Sequence, residues 1–239
     1  MSLNKYYACI VLVLLCIFEI EYTTAQIVSV EDYREVGTYT RKWLFVIPLY
    51  DVTLYTLDFD RIKARVDEME LELETPGFTD DVSNILLDST EGFDLLLSYK
   101  PLLSMKNFAI EKEIMRSALS RAGFPVDKNW NLQTNETHQN DVLLYVSHIL
   151  GLEENNPGDY YEYRKRGDKY LLHLSSKGMA SVSYEPSSSN KNGNYGSFRM
   201  TSPVVLKGII MTYLSYSMCS EELREELPVS LLTGLLDSN

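Results

Sequence analysis

The chain predicts an α+β fold, with a large antiparallel sheet carrying a layer of helices on one face. Three observations predict it. Trp43 to Thr56, WLFVIPLYDVTLYT, is a long run with apolar or aromatic residues at both parities of a period-two reading, and neither face is plainly polar before Asp51. Apolar runs come in the order strands, two helices, strands, two helices, as an antiparallel sheet with segregated helices requires. Ser202-Pro203 then opens a very apolar segment, with a capping hydroxyl followed by proline at the first helical position.

In chain order, Lys5, the apolar run Ala8 to Phe18 and the small residues Thr23-Thr24-Ala25 have the grammar of a secretory signal peptide covering 1–25. The apolar run is short for a membrane span, so no stable span is expected after cleavage; an uncleaved signal anchor is the alternative. The remainder, 26–239, suits one domain with one sizeable core. Gln26 to Thr40 reads as a lead-in with a short strand near Ile27 to Val30. Trp43 to Thr56 reads as one central strand. Asp60 to Leu73 has a helical register on Ile62, Val66, Met69 and Leu73, but the stretch from Glu68 alternates like a strand, and both readings stay open. Pro76 to Asp88 reads as a loop with a helical turn, and Phe93 to Tyr99 as a buried strand.

Asn107 to Ala122 is the clearest amphipathic helix, stopped by Gly123 and Pro125. A second helix spans Glu136 to Leu150, with Val142, Leu143, Val146, Ile149 and Leu150 inward. Residues 159 to 186 read as a meander, turning at Lys165 to Asp168 and at Ser175 to Gly178. Phe198 to Thr201 reads as a short returning strand. The helix from Pro203 runs to about Ser217, and Ser220 with Glu221 and Glu222 opens a last helix, SEELREEL, before the tail VSLLTGLL.

Composition excludes several function classes. Loss of Lys5, Glu19 and Glu21 with the leader moves the net charge only from −12 to −11, a poor match to nucleic acid or anionic lipid. Cys9 and Cys16 leave with the leader, so Cys219 has no intramolecular partner and stability rests on the core. His138, His148 and His173 are scattered, with no CxxC or HExxH beside them, so neither a metal site nor a cofactor is expected. GxSxG, GxGxxG and GxxxxGK[ST] are all missing from the sequence. Arg164-Lys165-Arg166 reads as a solvated corner before a strand. Asn135-Glu136-Thr137 is a glycosylation sequon at a helix start, so Asn135 is a candidate glycan site in a eukaryotic source.

Several pieces together resemble the chalcone isomerase-like family, more closely its exported bacterial-type branch than the plant enzymes. They are Val36-Gly37 ahead of the long run, its YDVTLYT ending, FDLLLSY leading into a helix, Lys165 to Lys169 before a strand, and the Pro203 helix followed by SEELREEL. The resemblance implies a chalcone isomerase-like fold with an apolar cleft between sheet and helices. Plant isomerases use an arginine before the long strand, a threonine on it, a tyrosine and an asparagine early in the next helix, and a Thr or Ser on a late helix. Laid onto this chain, the late position falls on Thr212, the arginine on Arg41 or Lys42, and the strand threonine on Tyr50. The helix near Asn107 has no tyrosine, and Glu113-Ile114 stands where the asparagine is expected.

Cyclising a phenolate onto an enone requires an anion site and placed donors for the developing enolate. With most of that set missing, the resemblance implies a non-catalytic binder of a small apolar ligand such as a fatty acid. A cation at Arg41 or Lys42 would meet the head group, with Tyr50 and Tyr99 as further donors. The alternatives are an intramolecular lyase of the chalcone-flavanone type and a ligand-free structural protein whose own side chains fill the cleft. Each residue also has a plainer reading: Arg41 as a rim charge, Tyr50 as a sheet aromatic, and Thr212 bonding back to its own helix.

Overall fold

The computed structural model describes residues 29–43, 46–69, 77–87, 91–103, 116–125, 127, 136–150, 167–185 and 196–236. A 3-10 turn, Val30–Asp32, leads into strands β1 (Arg34–Trp43) and β2 (Ile47–Thr56), then helices α1 (Phe59–Glu68) and α2 (Phe78–Leu87) and strand β3 (Leu95–Pro101). Helix α3 (Glu136–Leu150) precedes strands β4 (Lys169–Leu174), β5 (Ala180–Glu185) and β6 (Gly196–Met200), and α4 (Pro203–Leu214) and α5 (Leu227–Leu236) follow. The strands form one antiparallel sheet in the order β1-β2-β3-β4-β5-β6. The fold is α+β, as the order of runs predicts.

The expected long strand is two strands. Trp43 pairs with Ile47, so the chain reverses within the apolar run, and Val46 in the turn is 74% exposed. No Gly, Asn or Asp marks that turn, so periodicity alone reads through it. Only Trp43 of the run belongs to the edge strand β1, and Ile47–Thr56 is its neighbour β2. In the lead-in segment β1 begins at Arg34 and Val30 is in the 3-10 turn, while Ile27 and Val28 lie outside the described residues. Further on, the helical register on Ile62 and Val66 prevails up to Glu68, and 70–76 lie outside the described residues. The segment read as a loop is helix α2, which buries Phe78, Val82 and Leu86 at helical spacing.

Of the helix expected from Asn107, residues 116–121 are described and helical. Its end is a Schellman motif: Phe124 N–H donates to Leu119 O at 2.8 Å and Gly123 N–H to Ser120 O at 3.1 Å, with Gly123 at φ 84°. In α3, Asp141, Val142 and Tyr145 are buried, whereas Leu143, expected inward, is exposed. Asp141 turns to the start of α4, accepting from the N–H groups of Thr201 and Ser202, both at 2.8 Å, and the side chains of Val146, Ile149 and Leu150 lie outside the described residues. Helix α4 is capped by Ser202 as expected and ends at Leu214, three residues before the expected Ser217.

SEELREEL is not the last helix. Residues 221–226 are a series of turns, and the helix is the apolar tail from Leu227, with Leu227, Leu231, Leu232 and Leu235 buried. Burial of that stripe outweighs the favourable acids of the preceding segment.

Register sorts the sheet residues by face. Arg41, Tyr39 and Gly37 of β1 lie level with Tyr50, Val52 and Leu54 of β2. Behind them on the same face come Tyr99, Leu97 and Leu95, then Tyr170, Leu172 and Leu174, then Tyr184, Val182 and Ala180. These residues pack with α1, α2, α4 and α5 into one core. Helix α5 lies on β1 at backbone distance, since a Cβ on Gly37 would sit 2.3 Å from Ser230 O and one on Gly234 would sit 2.4 Å from Val36 O.

Candidate functional site

The helix-facing side has a chemical gradient along the strands. Its middle is aliphatic and sealed by Leu54, Leu97, Leu172 and Val182. Its end at the C-terminus of β1 is aromatic and polar. There Tyr50 stacks on Tyr99 with centroids 4.9 Å apart, Tyr99 approaches Tyr170 at 6.1 Å, and Tyr170 lies 5.1 Å from Tyr184. The strands bring these four tyrosines from β2, β3, β4 and β5 into one row.

Arg41 stands at the head of this row, opposite Tyr50 in the β1–β2 register. Its guanidinium is partly buried and donates from Nη2 to Glu222 Oε2 at 3.1 Å. Lys42 follows a register shift and is exposed, so of the two candidate cations it is Arg41 that the fold places beside Tyr50. Two strand positions before it, Tyr39 donates its hydroxyl to Glu226 Oε2 at 3.2 Å. Burial pushes the Tyr39 hydroxyl pKa up; the hydrogen bond with Arg41 opposes this and the nearby Glu226 charge adds to it. Tyr39 is missed by the sequence reading, although its spacing from Arg41 puts both on one face of a strand.

Thr212 is 8% exposed, and its hydroxyl donates to Ile209 O at 2.7 Å within α4. This is the back-bond of the plainer reading, with the hydroxyl hydrogen given to its own helix. Arg41, Tyr50 and Tyr99 are thus brought together, Lys42 is turned away, and Thr212 keeps its hydroxyl bond at home. The helix start expected to carry a tyrosine and an asparagine, and the sequon residue Asn135, lie outside the described residues.

On the opposite face, Asp51, Thr53, Tyr55, Ser98, Lys100, Lys169 and Glu185 line a polar groove of about 440 Å³. Tyr55 is there and Tyr50 is not, as their opposite parity predicts. In the groove Lys169 pairs with Glu185 at 3.3 Å, and Asp51 accepts a hydrogen bond from Thr40 at 2.7 Å. Such a lining offers little to an apolar ligand.

A third cluster closes the far end of that face. Tyr33 donates to Asp94 Oδ1 at 2.6 Å, and His173 Nε2 lies 2.9 Å from the same oxygen. Burial alone would raise the Asp94 carboxyl, but hydrogen bonds from His173 and Tyr33 outweigh it and hold the pKa below its ordinary value. Burial likewise pushes the Tyr33 hydroxyl well up, helped by Asp94. Among the described residues no three His, Cys, Asp or Glu groups come together to hold a metal ion. No helix among them is long and apolar enough to cross a membrane. Cys219 is a free, buried thiol whose pKa burial raises.

No family model and no curated protein matches this chain. Among solved structures it is similar to the crystal structure of a fatty-acid binding protein of Arabidopsis thaliana, with a TM-score of 0.50 and 16% sequence identity. The match covers 86% of this chain and 89% of that one, so it spans the architecture and not a fragment of it. At such low identity the likeness establishes the fold and leaves residue roles aside. That fold is chalcone isomerase-like, an antiparallel sheet backed by helices, as the order of the sequence motifs implies.

Proposed function

We propose that the protein binds a small apolar molecule ending in a carboxylate, a fatty acid being the natural class, and performs no chemistry on it. The observation that carries this reading is the cross-strand placement of Arg41 beside Tyr50 at the head of the tyrosine row. Arg41 already holds the carboxylate of Glu222, so its guanidinium presents the geometry a ligand head group needs. The tyrosine faces supply apolar area, and their hydroxyls tolerate a polar head. The solved neighbour with this fold is itself a fatty-acid binding protein, which is consistent with this use.

Burying ten methylenes contributes up to about 8 kcal/mol before ordering costs are subtracted. A charged hydrogen bond adds about 1.5 to 3 kcal/mol. Titration with a fluorescent long-chain fatty acid should therefore saturate, and Arg41→Ala should weaken binding about tenfold or more. Cyclisation of a chalcone should stay at the uncatalysed rate in both proteins. Rapid turnover lost in Arg41→Ala would make the protein an isomerase instead. Neither binding nor turnover would mean that its own side chains fill the cleft.

The same reading makes 26–239 the mature domain, secreted or periplasmic and of the exported type, after cleavage following Ala25. N-terminal sequencing of the secreted protein should start at Gln26; a membrane-retained chain starting at Met1 would mean an anchor. From a eukaryotic source, glycosidase treatment should lower the mass through a glycan on Asn135.

A further inference from the structure

A second pocket lies at the opposite end of the sheet's helix-facing side from the tyrosine row, separated from it by the sealed aliphatic middle. Its lining comes from four places: Leu86 of α2, Phe93 and Leu95 at the start of β3, Leu174 with the Ser175–Gly178 turn, and Pro203 with Lys207 on α4. The volume is about 270 Å³, just below the usual range for drug-sized ligands, so the pocket suits a small molecule. Leu86, Phe93, Leu95 and Leu174 are buried residues and give it an apolar floor.

The rim is cationic. Lys177 on the turn and Lys207 on α4 both line the pocket, and among the described residues neither has an ion-pair partner. That is a local exception in a chain of net charge −12. Pro203 and Lys207 are one helical turn apart and line the pocket from the same face of α4. Asp94 bonds His173 and Tyr33 and accepts from the Ser176 N–H of the turn at 3.4 Å, and Glu91 pairs with Arg65 at 3.0 Å.

The walls are held in place. Gly92 has φ 60°, and a Cβ on it would lie 2.6 Å from Ser176 O, so this loop and the β4–β5 turn meet backbone to backbone. Arg61 donates to Gly92 O at 2.6 Å, and Ser175 and Met179 close the turn with Ser175 N–H to Met179 O at 2.8 Å. A pocket fixed in this way needs little ordering when it is filled.

From these features we infer that the pocket is a second binding site, for a small amphipathic monoanion of the aryl carboxylate class. The aromatic body rests on Phe93 and the leucines, and the carboxylate faces Lys177 and Lys207. The site is independent of Arg41. The test is calorimetric titration of the full chain with 2-naphthoate, a rigid aryl carboxylate. Saturable binding is expected, weakened at least tenfold by Lys177→Glu with Lys207→Glu and changed less than twofold by Arg41→Ala. Lys177 is exposed and Lys207 half-buried, so circular dichroism and a melting curve check that the double variant is folded. Lack of saturable binding overturns the inference, and so does a fully folded double variant that binds normally. Loss of naphthoate binding in Arg41→Ala also overturns it, by moving the ligand to the tyrosine row and leaving the fatty-acid reading intact.

Discussion

Gly234→Ala should destabilise this protein, against the ordinary behaviour of a helical glycine. Replacing glycine by alanine within a helix normally stabilises it by about 1 kcal/mol. In α5, however, the new methyl carbon would lie 2.4 Å from Val36 O and 3.5 Å from the Phe59 ring. A comfortable separation is about 3.5 Å or more, so the carbonyl contact is roughly 1 Å too short. The obstructing atom is backbone, held in β1, and no rotamer change can move it. Overpacking of this kind costs about 1 to 3 kcal/mol, occasionally more. After the propensity gain, a net loss of up to about 2 kcal/mol is expected.

Gly37→Ala faces three backbone atoms of α5, at 2.3, 2.8 and 2.8 Å, and should lose about 3 kcal/mol. Both substitutions push the same helix off the same strand, so the double variant should cost less than the sum. Gly77→Ala, whose Cβ would meet nothing within 4 Å, is the control. Urea midpoints followed by circular dichroism measure all four variants. A Gly234→Ala protein more stable than wild type would refute the close seating of α5 on β1.

Three further outcomes follow from particular side chains. Because the Asp94 pKa is lower in the folded state, the unfolded chain binds more protons as pH falls below the ordinary carboxylate value. This contribution to stability is therefore complete above about pH 4 and is lost as pH drops through the folded value. Urea midpoints between pH 2 and 6 should fall less steeply for Asp94→Asn, and parallel curves would deny the cluster that role. Thr212→Val should leave fatty-acid affinity within twofold, because the hydroxyl hydrogen is given to Ile209 O; a tenfold loss in the same titration would place that hydroxyl on the ligand. Glu222→Gln removes the carboxylate that competes for Arg41. An exposed pair contributes about 0.2 to 1 kcal/mol, so fatty-acid affinity should rise by up to about fivefold, and unchanged affinity would show that the head group binds elsewhere.

Much of the fold was legible where one local signal acted alone. FDLLLSY reads as a buried strand because β3 is covered on both faces. Capping residues announce the start of α4, and Gly123 with Pro125 announces the end of the preceding helix. The failures share a cause: in each, a tertiary contact overrode the local pattern. The Trp43–Thr56 run hides a reversal fixed by β1–β2 pairing. The apolar tail becomes a helix because its leucines have two strands and three helices to cover. At the candidate site, sequence left Arg41 and Lys42 open because the choice depends on which residue shares a face with Tyr50. Tyr99 was found through its strand, whereas Tyr170 and Tyr184 gained meaning only once the register aligned them.

That alignment bounds what the protein can hold. A ligand anchored at Arg41 cannot run down the strands, since Leu54, Leu97, Leu172 and Val182 seal the middle of the face. Its path must cross the strands, along the tyrosine row. From β2 to β5 this is three strand spacings, about 14 Å, the length of a medium acyl chain. The row is unevenly accessible: Tyr50 and Tyr184 are half-buried, whereas Tyr99 is 7% and Tyr170 1% exposed. The head-group end is therefore ready for a carboxylate while the middle of the row is already covered. An acyl tail gains its burial only by displacing that cover, and the apparent affinity falls by the fraction of molecules in which the cover is open. The free energy from the methylenes must exceed that opening cost, which favours longer chains over short ones. On the proposed fatty-acid reading, affinity should therefore rise with chain length as well as depend on Arg41.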